Sequence, residues 1–109
     1  MNELWVFNES IEGKTIAPGV TRKVLSYCDA MMCVENTFEA GAVGARHRHP
    51  HAQITYVASG RFLFSQGDEA REVGRGDTLC LRNGVMHGCE CLESGVLVDF
   101  FMPMREDFV

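Results

Sequence analysis

Gly41-Ala-Val-Gly-Ala-Arg-His47-Arg-His49-Pro-His51-Ala-Gln53 is the stretch on which the reading of this chain turns. It holds three of the four histidines of the chain; the fourth, His87, closes Gly76-Asp77-Thr-Leu-Cys-Leu-Arg82-Asn83-Gly84-Val-Met-His87. Residues 47, 49 and 53 share parity, so an extended backbone sends two imidazoles and one amide oxygen to a single face. His87 is expected to complete the set from a distant strand, across a closed sheet. Imidazole suits Zn, Ni, Fe and Cu, and an amide oxygen is compatible with all of them. A solitary histidine reads as a satisfied core residue. A His-x-His pair with a glycine-rich approach and a remote partner reads as a metal site on His47, His49, Gln53 and His87. His51 has the same parity and Pro50 precedes it, so on these residues alone its place on the metal or beside the pocket stays open; the motif spacing compared below selects His47 and His49.

Outward from that stretch the chain is punctuated by turn residues, among them Pro18-Gly19, Ser59-Gly60, Gly67-Asp68, Asn83-Gly84 and Ser94-Gly95. Short runs rich in β-branched and aromatic residues lie between them. The expected strands are 21–27, 31–38, 54–58, 61–65, 69–73, 78–81, 87–91 and 96–101. No segment after residue 20 has a helical apolar period. The fold expected is all-β, a sandwich or barrel. Tyr56 to Phe64 reads as a hairpin turning at Ser59-Gly60, where glycine supplies a positive φ.

At 109 residues the chain fits one domain, residues 1–109, and 46% hydrophobic residues are enough for a real core. The net charge of −5 leaves no basic surface for nucleic acid. No apolar run spans a membrane, and Met1-Asn2-Glu3-Leu4-Trp5 lacks the basic and apolar regions of a secretory signal, so a cytoplasmic protein is expected. The five cysteines are odd in number and read as small apolar residues, not a disulfide framework. Cys89-x-Cys91 has no second pair with which to build a metal site. Trp5, Val6 and Phe7 form an apolar cluster that a monomer exposes, which points to a homodimer.

The C-terminal segment, Val96-Leu-Val-Asp99-Phe100-Phe101-Met-Pro103-Met-Arg105-Glu106-Asp107-Phe108, is the second informative one. Asp99 stands in an apolar run that suggests a strand buried on both faces. A carboxylate there is costly unless paired or near a metal, and such groups are natural proton carriers. The alternative is a structural ion pair between Asp99 and Arg105.

The two histidine segments resemble the motifs of the cupin superfamily, Gly-x5-His-x-His-x3-Glu-x6-Gly and Gly-x5-Pro-x-Gly-x2-His, over residues 41–60 and 76–87. The resemblance implies a single-domain cupin, a two-sheet jelly roll with the metal inside. Gln53 departs from the usual Glu, and Arg82 from the usual Pro. With three imidazoles and a neutral amide the ion's full charge stays on the site, which favours an anionic substrate or transition state.

The tail resembles that of the KdgF-type pectin-degradation proteins, Asp-x-Phe-x-Pro-x-Arg-Glu-Asp-Phe, reproduced from Asp99 to Phe108. The run from His47 to Ile54 and the segment from Ile16 to Leu25 resemble the same group. That resemblance implies conversion of 4,5-unsaturated monouronates, from pectin or alginate lyases, to linear 5-keto-4-deoxyuronates. The cofactor implied is one divalent transition ion (Ni, Zn, Fe or Mn), and the partner a small anionic sugar. It also implies that Asp99 moves a proton, Arg105 clamps the substrate carboxylate and Phe101 packs on the sugar ring. A non-catalytic sugar-sensing cupin, an iron-dependent cupin dioxygenase and a cupin polyketide cyclase are the rival readings; the Asp99–Arg105 pattern favours the uronate reading.

Overall fold

The structure, a computed structural model, describes residues 3–109; Met1 and Asn2, part of the N-terminal segment read above, lie outside them. Its strands are β1 (Lys14–Ala17), β2 (Val20–Cys28), β3 (Met31–Phe38), β4 (Val43–His47), β5 (Ala52–Gln66), β6 (Glu69–Gly74), β7 (Thr78–Leu81) and β8 (His87–Met102). Helix among the described residues is confined to two short 3₁₀ turns, Asn8–Ser10 and Glu106–Phe108. Every strand pairing is antiparallel, and the fold is all-β as expected. No described helix is long and apolar enough to cross a membrane.

Two long strands organise the rest. The first half of β5 pairs with β7 and the second half of β8, and that half of β8 continues through β3 and β2 to β1. The second half of β5 pairs with β6 and the first half of β8, which carries β4 on its other edge. Two sheets thus share β5 and β8. Phe38, Val57 and Leu97 of the larger sheet pack against Phe62, Phe64 and Cys91 of the smaller to form the main core. Phe38 meets Phe62 edge-to-face, with centroids 5.3 Å apart.

Two expected elements are corrected here. The hairpin at Ser59-Gly60 does not form: residues 54–58 and 61–65 belong to one 15-residue strand. Likewise 87–91 and 96–101 are one 16-residue strand that runs through Ser94-Gly95. Gly60 uses its φ of 80° inside the strand, where the register with β8 slips on both sides of it. Glycine-containing dipeptides signal bulges as well as turns, and only the partner strand separates the two. Strands β1 and β4 went unread because Lys14–Ala17 is largely exposed and Val43–His47 mixes glycine with polar residues, so neither alternates.

At these register slips the two backbones touch. A Cβ on Gly95 would sit 2.1 Å from the Ser59 carbonyl oxygen, and one on Gly60 would sit 2.6 Å from that of Glu93. Gly67, at φ 55°, has open space around it. Gly95→Ala is therefore expected to cost more than about 3 kcal/mol or prevent folding, whereas Gly67→Ala should cost about 1 kcal/mol of left-handed strain alone. Urea titration of both variants measures the difference, and equal losses would refute this backbone contact as a steric constraint.

Candidate metal centre and its pocket

His47 closes β4 and His87 opens β8, and the two are register partners on neighbouring strands. The expectation that His87 reaches across the fold is thereby corrected; it stands next to His47. It is Gln53, on the first half of β5, that comes from the other sheet. The expectation of one extended face for residues 47, 49 and 53 is also corrected. The chain leaves β4 after His47 and bends at Pro50 and His51 before β5 begins at Ala52, so His49 arrives from a loop. That loop is tied down by a hydrogen bond from Gly84 N–H to the His49 carbonyl, 2.8 Å, and by the Asn83 amide, which donates to the Pro50 carbonyl at 2.5 Å.

One ring nitrogen from each of His47, His49 and His87 lies within 4.8 Å of the other two. Each ring is oriented through Nδ1 by a main-chain carbonyl: Ala45 at 2.8 Å from His47, His51 at 3.1 Å from His49 and Val85 at 3.0 Å from His87. A carbonyl only accepts, so Nδ1 carries the proton and Nε2 keeps a lone pair. Burial, reinforced by the Arg105 charge, lowers the pKa of His49. Burial likewise pushes His87 down to about 4 from an ordinary 6.5. Neutral imidazoles are the ligand form.

Gln53 Oε1 lies 2.9 Å from His49 Nε2, and Gln53 Nε2 donates to Thr55 Oγ1 at 2.9 Å. With His49 neutral and protonated at Nδ1, two lone-pair atoms face each other. Ligand atoms at right angles and about 2.1 Å from one ion lie about 3 Å apart, so the donor set fits a divalent cation. His51 makes no part of the cluster; its Nδ1 is buried without a described partner.

Asp99 lies one row along from Gln53. Register aligns Gln53 with Phe101 and Thr55 with Asp99. Asp99 and Phe101 point inward, 7% and 3% exposed, while Phe100 between them is 41% exposed. The strand is thus buried on one face only, which corrects the expectation of two. Both Asp99 oxygens are held: the Thr55 hydroxyl donates to Oδ1 at 2.6 Å and the Asn36 amide to Oδ2 at 2.8 Å. Burial raises the Asp99 pKa, and the bonds from Thr55, Gln53 and Asn36 oppose that rise. Asp99 is not the ion-pair partner of Arg105. Arg105 instead grips Asp107 through Nε and one terminal nitrogen, at 3.0 and 2.9 Å. Asn36, Asp99, Arg105 and Asp107 line a cavity of about 450 Å³ that also receives Arg22, Phe101 and Phe108. Thr55, Asn36 and Arg22 are the site residues that the sequence reading missed.

A two-sheet jelly roll with three imidazoles and an amide converging inside it defines a cupin. The cupin domain family model matches residues 34–101. The pectin degradation protein KdgF of Dickeya dadantii (strain 3937) is 40% identical over 96 residues, 86% of this chain and 87% of that protein. The structure of KdgF from Halomonas sp. superposes with a TM-score of 0.94 at 32% identity, covering 99% of this chain and 100% of that one. An RmlC-like cupin from Shewanella frigidimarina NCIMB 400 gives 0.95 at 35% identity, with 99% and 97% coverage. The chain belongs to the cupin domain family, in the group of KdgF.

Two outcomes are expected. Replacing His47 and His49 together with Ala should abolish bound metal on elemental analysis; stoichiometric metal in that variant would exclude the cluster. Acid should weaken the metal-stripped protein. His87 takes a proton at about 4 when folded and at about 6.5 when unfolded, so the unfolded chain binds it first as pH falls. The His87 contribution is therefore complete above the unfolded value and is lost as pH drops toward the folded one. Between about pH 7 and about pH 4.5 it amounts to roughly 2 kcal/mol. Urea unfolding at both pH values, compared with His87→Gln, should show a flatter dependence in the variant; parallel slopes would contradict it.

Proposed function

We propose that this chain is a metal-dependent enzyme of pectin or alginate breakdown that converts 4,5-unsaturated monouronates to linear 5-keto-4-deoxyuronates. The kinship with KdgF supports a role in pectin degradation. The observation that carries the finer reading is Asp99: a buried carboxyl, fixed at both oxygens, in the same cavity as His47, Gln53 and His87. His47, His49, Gln53 and His87 would hold one divalent ion (Ni, Zn, Fe or Mn), which would supply Lewis acidity for negative charge on oxygen.

The reaction is an isomerisation. The bond between the hemiacetal carbon and the ring oxygen breaks as the hemiacetal hydroxyl gives up its proton, leaving an aldehyde and an enolate. That lost proton is balanced by the one gained at the neighbouring alkene carbon, and the oxygen-bearing carbon of the enolate becomes the ketone. Asp99 delivers that proton and is recharged from the hydroxyl. Burial favours the protonated carboxyl that delivery needs. Phe101, on the inner face beside Asp99, packs on the sugar ring. Arg105, stacked 4.3 Å over Phe108 and locked by Asp107, offers its remaining terminal nitrogen to the substrate carboxylate. The whole chain, residues 1–109, acts as one cupin unit, and its free cysteines suit the reducing cytoplasm.

The acting form is a homodimer. Trp5 and Phe7 are 78% and 64% exposed, and a groove of about 480 Å³ on the outer face is lined by Leu4, Met31, Phe100 and Met102, all exposed. A second copy covers such a surface. Light scattering at micromolar protein should return twice the chain mass, and a monomer would contradict it.

Adding the protein to a lyase-generated unsaturated monouronate should abolish the ultraviolet absorbance of its conjugated alkene. Asp99→Asn should keep its fold and metal yet lose about 10²–10⁴ in turnover, because an amide matches the shape but carries no proton. Arg105→Lys should raise KM more than it lowers kcat. Near-full activity of Asp99→Asn would make Asp99 a structural residue.

A further inference from the structure

Arg22 sits on β2 opposite Asn36, the residue that holds Asp99, and lines the same cavity. Its Nε is buried without a hydrogen-bond partner, and it enters none of the ion pairs formed among the described residues. Its guanidinium lies 3.7 Å over the Phe108 ring, the ring that Arg105 also covers. Stacking fixes the plane of the group without occupying its in-plane N–H donors. Arg105 differs, since Asp107 has already taken two of its donors. An unpaired, half-buried guanidinium is costly unless a ligand supplies the counter-charge.

We infer that Arg22 is the principal receiver of the substrate carboxylate and so determines specificity for uronates over neutral sugars. The inference rests on the uronate reading above and changes which arginine does most of the recognition. The charges agree with it. Arg105 and Asp107 neutralise one another, and with Asp99 in the protonated form that its burial favours, Arg22 is the cation in excess at this end of the cavity, matched by one carboxylate. A carboxylate seated in its open fork is bound through two parallel N–H donors. Arg105 then adds a single donor, the terminal nitrogen that Asp107 leaves free, and the sugar lies between this end and Asp99. Because Arg22 binds a group that does not react, it is a specificity residue and contributes to KM more than to kcat.

The test compares wild type, Arg22→Gln, Arg22→Lys and Arg22→Ala, with Lys23→Gln as the control. Lys23 is the next residue on the same strand, and its ammonium is bonded to Asn8 outside the cavity. Steady-state kinetics on the unsaturated monouronate is paired with calorimetric binding of galacturonate and of galactose, its neutral counterpart. Arg22→Gln is expected to raise KM about 10–100-fold with kcat nearly kept, and to lose the preference for galacturonate by a similar factor. Arg22→Lys should fall between, since it keeps the charge without the fork. Free guanidinium should partly restore Arg22→Ala, and Lys23→Gln should match wild type. If Arg22→Gln does not fold, Arg22→Lys and its loss of galacturonate preference carry the same test. Wild-type preference for galacturonate retained in Arg22→Gln or Arg22→Lys overturns the inference, as does a fall in kcat at unchanged KM. A wild type that neither turns over nor prefers a uronate overturns the uronate reading itself, a result distinct from the first.

Discussion

Two backbones lie against each other where β5 and β8, paired side by side, slip in register at Ser59-Gly60 and Ser94-Gly95, with no room for a side chain. The strands stay paired on both sides of that irregularity, so each serves both sheets. The first half of β5 brings Gln53 and Thr55 to the larger sheet, and the second half of β8 brings Asp99 and Phe101 beside them. The first half of β8 carries His87 to the smaller sheet, next to His47 on β4. The site spans the two sheets because the strands that build it do. A hairpin at Ser59-Gly60 would have returned the chain within one sheet and left Gln53 and His87 with no common interior.

One continuous set of polar contacts runs through the site that these paired strands build. His49 Nε2 faces Gln53 Oε1, Gln53 Nε2 donates to Thr55, Thr55 donates to Asp99, and Asn36 completes the carboxyl. An amide at position 53 has both an acceptor for the cluster and a donor for Thr55. A glutamate would offer Thr55 only acceptors, and the single hydroxyl proton could not serve both that carboxylate and Asp99. The departure from the usual cupin Glu therefore has a structural counterpart two bonds away, in the fixed orientation of Asp99. Interior hydrogen bonds of this kind matter most where an unpaired partner would be costly.

The tail adds the cationic end of the cavity. Phe108 stacks edge-on against Phe101 with centroids 5.6 Å apart, and both arginines lie over it. The ring holds two guanidiniums near each other, and Asp107 offsets one of them, its pKa lowered chiefly by the bond from Arg105. The result is an apolar floor with charge presented along one edge.

Much of this was legible in the chain. The membership of His47, His49 and His87 in one cluster was legible in their motif spacing, the shared face of Asp99 and Phe101 in strand alternation, and the all-β fold in composition and turn signals, although parity misplaced His49, which comes from a loop. Met31–Phe38 and Thr78–Leu81 stand where the residues suggested, since turn signals bound them on both sides. The residues that went unread share one property: their meaning depends on a partner far along the chain. Gly60 and Gly95 are turn formers until another backbone lies against them. Arg22, Asn36 and Thr55 are ordinary polar strand residues until register brings them to Asp99 and Phe108. The amino-acid sequence by itself determined which groups could do chemistry, through their donor atoms and period. Only the tertiary structure decided which of them meet, because a lone pair, a stacked ring or a missing Cβ acquires its energy from the atom opposite, and the sequence does not place that atom.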